Sequence, residues 1–211
     1  MLLLTIEMHL NMPQADNINN PDLPKPDILK AREYAIEALK INRPNFDLEK
    51  IGEYFLTQGE FAIISTLATT YGYANDLATE VDILAKLKVN YEKNHKIVIA
   101  DLAITDFYSM LLTNIGINYK LLERWEECLQ QAISNMDFYI KSNDIRLYCR
   151  AIYQRAYSLM KLGKTAEGKE YYKKFFMLAH VLDGEFAINF AVVKKEYEEV
   201  FGGQVDIAVA W

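Results

Sequence analysis

Asn114 and Asn118 stand four residues apart, and Arg150, Tyr153, Gln154, Tyr157 and Lys161 follow one another mostly at threes and fours. On a helix such residues share a face, so each set presents a row of side chains. The chemistry open to these rows is recognition. An asparagine amide both donates and accepts hydrogen bonds, which suits it to the unpaired backbone N–H and C=O groups of an extended peptide. Arg150 or Lys161 can pair with a peptide carboxylate, and Tyr153 and Tyr157 offer amphipathic contact area. Each assignment has a plainer alternative: Asn114 and Asn118 as solvated amides, and the two tyrosines as packing between helices. Asparagine is a mediocre helix former, which tips the balance for Asn114 and Asn118 toward a role. Tyr108, Tyr73 and Thr69 are weaker candidates on the same logic.

Covalent chemistry finds little to work with. His9, His95 and His180 fall on different elements, none with a carboxylate and a nucleophile at helical spacing, so neither a triad nor a metal site is expected. Cys128 and Cys149 are the two cysteines, and neither has a CxxC partner or an adjacent histidine. That spacing excludes zinc and thiol-redox sites. Both lie in apolar helical patterns as small hydrophobes, which fits an intracellular, cytoplasmic protein. Gly163 reads as a hairpin turn and Gly202-Gly203 as a helix end, not as phosphate loops. Glu126-Glu127, Glu196 and Glu198-Glu199 read as solvated helix faces. No catalytic activity and no cofactor are expected.

Charge narrows the partners. With 23 basic and 29 acidic residues the chain carries a net charge of −6, the wrong sign for tracking phosphates. The pairs Lys173-Lys174 and Lys194-Lys195 are ordinary solvated faces, and the 14 tyrosines are not interleaved with basic residues as a single-strand stacking platform would be. The opening Met1-Leu2-Leu3-Leu4 is broken by Glu7 and His9, has no basic n-region, and reads as the middle of a helix in a shortened gene rather than a signal peptide. No segment approaches the roughly 20 apolar residues of a membrane span.

Helices must position these residues. Apolar residues recur at threes and fours through most of the chain. The pattern predicts helices over 2–11, 27–41, 77–93, 98–120, 124–141, 145–161, 165–181 and 184–200, with Asn11 to Pro26 as a polar connection. Thr57 and Glu60 form a capping box that starts another helix through Phe61, Ile64, Leu67 and Tyr71, and Asp47 to Tyr54 makes one or two turns. The interruptions in the second half are short, which makes consecutive helices antiparallel neighbours.

Those helices repeat. Tyr119 corresponds to Leu159 at a period of 40, Gly116 to Ala156, Cys128 to Gly168 and Ala132 to Tyr172. Small residues at such points let two helices approach closely and let each hairpin stack on the next. A weaker unit places Ala68, Tyr71, Asn75 and Leu84 in the pattern but departs at Glu80, where a small residue is expected. This resembles the tetratricopeptide repeat, stretched beyond its usual length of about 34 residues. The resemblance implies an all-α fold: a right-handed superhelical stack of antiparallel helix hairpins with a C-terminal capping helix. It would form one domain over 1–211, with hairpins near 2–41, 58–93, 98–141 and 145–181 and the cap at 184–200.

Ala38-Leu39-Lys40-Ile41-Asn42-Arg43-Pro44-Asn45-Phe46-Asp47-Leu48-Glu49-Lys50-Ile51, with Tyr54 and Leu56-Thr57, is similar to the middle of tetratricopeptide-containing regulators of Gram-positive bacteria. So are Arg124-Trp125-Glu126-Glu127-Cys128-Leu129 and Lys161-Leu162-Gly163-Lys164. In that family a helix-turn-helix of the Xre type precedes the repeats, and Rgg/PlcR-like relatives bind short signalling peptides in the concave face, lined by the first helix of each hairpin. The match spans about residues 27–202, without a compact helix-turn-helix. It implies a peptide-sensing, homodimeric effector domain that does not itself touch DNA, with Asn114, Asn118, Arg150, Tyr153, Gln154, Tyr157 and Lys161 on the peptide. The alternative is a stand-alone tetratricopeptide adaptor that scaffolds a protein complex.

Overall fold

Helix ends fall where capping side chains and turn residues dictate. The computed structural model describes residues 27–94, 102–182 and 187–202, except the side chains of 102–105 and 187–192. Every regular element among them is helical, and none of those helices is long and apolar enough to cross a membrane. The expected helix 2–11, the connection up to Pro26 and the tail from Gln204 lie outside the described residues. The chain divides into two units, Met1–Ile97 and Val98–Trp211.

The first unit holds α1 (Ile28–Asn42), a 3-10 helix (Leu48–Glu53), α2 (Gln58–Tyr73) and α3 (Leu77–Asn94). Asp27 caps α1 by accepting from the Lys30 N–H at 3.1 Å, and Arg43 ends it. The capping box forms as expected: the Glu60 N–H donates to Thr57 Oγ1, and the Thr57 N–H donates to Glu60 Oε2 at 2.7 Å. The buried Glu60 carboxylate also accepts from Arg43 Nε at 2.7 Å, and Arg43 donates further to the Phe55 carbonyl. One side chain thereby ties the end of α1 to the start of α2. Burial alone would raise the Glu60 pKa, but its bonds to Arg43 and Thr57 outweigh that and hold it below the ordinary value. The expected turns at 47–54 are the 3-10 helix, fastened to α3 by Asn90 Nδ2, which donates to the Ile51 and Tyr54 carbonyls at 2.5 and 2.8 Å.

The second unit contains α4 (Leu102–Leu121), α5 (Trp125–Lys141), α6 (Ile145–Lys161), α7 (Thr165–Val181) and α8 (Ala187–Phe201). Each helix packs on the next, and α4 also meets α6. Buried polar groups stitch α5 to α4: Asn135 Nδ2 donates to the Leu112 carbonyl at 3.1 Å, and the Tyr139 hydroxyl donates to the Ser109 carbonyl at 3.1 Å. Cys149, Ile152, Ala156, Tyr172, Phe175, Phe176, Val193 and Tyr197 make the apolar core shared by α6, α7 and α8.

The repeat is visible in the backbone. Asn75, Glu123 and Gly163 each stand seven residues after Ala68, Gly116 and Ala156, and all three take the left-handed conformation, with φ of 62°, 56° and 75°. Each turn makes the same bonds. The N–H of Asn75, Glu123 or Gly163 donates to the carbonyl three back, and the next N–H to the carbonyl five back. That satisfies carbonyls a helix end leaves orphaned.

Glu80, where the repeat pattern expects a small residue, faces a glycine on the partner helix. In α6/α7 the large residue is Met160 and the small one is Gly168: a Cβ on Gly168 would lie 2.9 Å from Met160 Cγ and 3.2 Å from the Ala156 carbonyl oxygen. In α2/α3 the sizes are exchanged. Gly72 holds the position equivalent to Met160, and a Cβ there would lie 2.2 Å from Glu80 Oε2. The volume at the crossing is conserved while the side of the pair that supplies it is not. Gly168→Ala should therefore destabilise the protein by about 1 kcal/mol through overpacking. In a Met160→Ala background the same substitution should cost less, because the Met160 contacts are gone and the Ala156 carbonyl oxygen at 3.2 Å remains. Chemical denaturation of the four proteins in this cycle measures the coupling between the two positions.

Candidate functional site

The repeat sorts the expected site residues into two faces. Subtracting the period of 40 places Met110 under Arg150, Ile117 under Tyr157 and Leu121 under Lys161. Met110, Ile117 and Leu121 are 47%, 36% and 59% exposed. Arg150 and Lys161 are exposed and Tyr157 is half-buried. Equivalent positions on α4 and α6 thus build one open surface, apolar on α4 and aromatic with basic ends on α6.

Asn118 and Gln154 belong to the packed side. Each is 4% exposed. The Gln154 amide lies on the α4 backbone at Gly116, where a Cβ would come within 2.8 Å of Gln154 Oε1. Asn118 Nδ2 is buried without a hydrogen-bond partner among the described residues. Asn114 is half-buried. The structure brings Tyr153, Tyr157 and Lys161 together, leaves Arg150 exposed nearer the other end of α6, and turns the amides of Asn118 and Gln154 into the protein. Of the weaker candidates, Tyr108 is buried edge-on against Phe138, Thr69 donates to the Ser65 carbonyl and Tyr73 is exposed.

Around Tyr153 and Tyr157 the structure adds residues that the spacing did not single out. Lys120 Nζ donates to the Tyr153 hydroxyl at 2.6 Å and lies 4.3 Å from the centroids of both the Tyr153 and the Tyr157 rings. Lys161 Nζ lies 5.3 Å from the Tyr157 centroid and 5.6 Å from that of Trp125, whose ring tilts against Tyr157 at 5.5 Å. The Tyr153 hydroxyl in turn donates to Glu196 Oε2 at 2.9 Å, and the buried Tyr172 hydroxyl donates to the other oxygen of the same carboxylate. Glu196 is therefore no solvated face: it fastens α8 to α6 and α7.

These contacts set the electrostatics. Burial lowers the Lys120 pKa, and Lys161 adds to the lowering against the pull of Glu196. Burial and then the Glu196 charge and hydrogen bonds raise the pKa of Tyr153 and Tyr172 far above the ordinary value, and burial raises that of Tyr139 to about 12. Both cysteines are buried, and burial raises their thiol pKa values as well. The arrangement holds neutral phenols and cations over aromatic rings, which suits binding of a ligand with apolar and anionic parts.

Lys120, Trp125, Met110, Ile117 and Leu121 carry no motif of their own. The signal that finds the last three is the repeat period, applied to Arg150, Tyr157 and Lys161. No family model matches the chain, and no curated protein matches it.

Replacing Glu196 with leucine strands two tyrosine hydroxyls and should cost about 2 kcal/mol in chemical denaturation. The raised tyrosine pKa values fix the alkaline behaviour. The folded state keeps its phenol protons above the unfolded value of about 10, so the stability they contribute is complete below that pH and is lost as pH rises beyond it. Lys120, with its pKa lowered, works in the opposite direction, and three tyrosines outweigh it. Melting temperatures should fall steeply above about pH 10, with the Tyr139, Tyr153 and Tyr172 phenols, followed individually by NMR, losing their protons only as the protein unfolds. Ionisation of the Tyr153 or Tyr172 phenol below that pH without loss of structure would contradict the buried network.

Proposed function

We propose that this chain is a polypeptide-binding regulatory module, a tetratricopeptide-type stack that receives a short peptide segment across α4 and α6. The observation that carries this reading is the open surface built from equivalent positions: Met110, Ile117 and Leu121 beside Arg150, Tyr157 and Lys161. Isolated apolar residues on a surface are ordinary. A row of three on one helix, flanked by an aromatic and cationic row on the next, is a surface of the composition that peptides bind. The three left-handed turns in register support the repeat type.

The module is the peptide-sensing effector half of a bacterial transcriptional regulator, acting in the cytoplasm as a homodimer, and it binds its peptide without touching nucleic acid. This part of the proposal rests on the sequence resemblance around residues 38–57, 124–129 and 161–164. The contacts supply a route for the response. A ligand that draws on Lys120 acts on Tyr153 and through it on Glu196 and the seating of α8. Differential affinity for two seatings of α8 is all that a switch requires.

A thermal-shift screen of short hydrophobic peptides tests the reading. A ligand at about a hundred times its dissociation constant should stabilise the protein by about 2.7 kcal/mol. Tyr157→Ala and Ile117→Ser should reduce that shift, and Asn114→Ala, half-buried at the margin of the row, should reduce it less. A screen in which no peptide shifts the melt, or in which the hits ignore Tyr157 and Ile117, would sink the site. An in-frame helix-turn-helix upstream in the gene would support the effector role, and its absence would leave the stand-alone adaptor.

A further inference from the structure

Arg150 and Lys161 stand eleven positions apart on one stripe of α6, with Tyr153 and Tyr157 between them. Both cations are exposed, whereas the two tyrosines are half-buried. The equivalent positions on α4 carry Met110 and Leu121, with Ile117 between them, and all three are exposed. The face is therefore apolar along α4, aromatic in the middle of the α6 stripe and cationic at that stripe's two ends. Lys120 reaches the same rings, but Glu196 answers its ammonium through the Tyr153 hydroxyl, with α8 standing beside it. Arg150 and Lys161 lack such an answer, since neither forms an ion pair with a carboxylate among the described residues. Elsewhere exposed lysines are matched along their own helices, Lys141 by Asp137 and Lys173 by Glu170, at 2.6 and 2.8 Å. In a chain with six more acidic than basic residues, neither row of this face carries an acid.

Both rows run along their helices, and α4 and α6 are neighbours. A segment lying on both rows follows the helix axes, and so passes Arg150 towards one end and Lys161 at the other. Eleven residues of helix at 1.5 Å each set the two cations about 16 Å apart. An extended chain covers that span in about five residues. Between the cations it meets only methyls and rings, which suit apolar side chains. The cations are exposed, so each contributes little to affinity on its own and acts mainly on which segment fits and which way it runs.

We propose that the α4–α6 face takes an extended segment whose apolar centre is bracketed by two acidic side chains about five residues apart, one at Arg150 and the other at Lys161. This inference rests on the peptide-binding reading and names the class of its ligand. The apolar and aromatic rows hold the centre of the segment, and the two cations select its ends.

The test is fluorescence polarisation on the full chain, with peptides acetylated and amidated at their ends that carry two acidic residues at increasing separations around an apolar centre. Affinity should peak at a separation of about five residues. At that separation, exchanging either acid for its amide should weaken binding about threefold, and exchanging both about tenfold. Added salt should narrow these gaps. Arg150→Glu and Lys161→Glu alter exposed positions and should melt as the parent does. Each should turn the preference from acid to lysine at one end of the peptide only, and the two variants should act on opposite ends. Amide peptides that bind as tightly as acidic ones overturn the proposal, and so does an optimum at eleven residues, the spacing of a helical segment. Charge reversals that leave the preference unchanged, or that both act on the same end, overturn it as well. Binding without discrimination removes this inference alone, whereas a set in which nothing binds removes the peptide-binding reading with it.

Discussion

Where two antiparallel helices cross so closely that only one of two facing positions can hold a long side chain, the identity of that pair governs the hairpin around it. The crossing recurs here at residues eight apart: Gly72 with Glu80, Lys120 with Cys128, and Met160 with Gly168. In the first and last of these, a Cβ on the glycine would collide with its partner. Packing density leaves no room for two large residues and punishes two small ones with a void. The small-residue pattern of the repeat is thus a constraint on the sum of two volumes and not on either position alone.

That constraint reaches the open face. In α6/α7 the large member is Met160, an apolar filler. In α4/α5 the large member is Lys120, with the small Cys128 as its partner, and each affects the other's protonation. A lysine in that role has its stem committed to the hairpin while its ammonium must find electrostatic company. It finds the Tyr153 and Tyr157 rings and, through the Tyr153 hydroxyl, Glu196. The same side chain therefore takes part in closing a hairpin, seating α8 and charging the face. Lys161, one residue past the equivalent position in the next hairpin, supplies the second charge.

The helices were largely legible because their boundaries rest on local chemistry. The α6 and α7 bounds agree with the apolar period, and α1, α2, α3, α5 and the end of α4 fall within about one or two residues of it, since caps such as Thr57 and turn residues such as Gly163 act on their own neighbours. The departure at Glu80 is legible, but its compensation, a glycine at position 72, lies eight residues away on the other helix. Glu196 looked solvated for the same kind of reason: the tyrosines that claim it are on α6 and α7. Asn118 and Gln154 share a helical face with their neighbours in sequence, but spacing alone does not say whether a face looks inward. Burial in the folded chain does say so: Asn118 and Gln154 are each 4% exposed, whereas Ile117 is 36% exposed.

The central claim is that a polypeptide docks on the α4–α6 face. Methyl-labelled NMR reads this directly, because Met110 and Ile117 on that face, and Ile133 and Met177 on α5 and α7, are all exposed, at 47%, 36%, 36% and 46%. On titration with a peptide that stabilises the protein, the Met110 and Ile117 methyl resonances should move while those of Ile133 and Met177 stay in place. Shifts concentrated at Ile133 and Met177, with Met110 and Ile117 unmoved, would contradict the account.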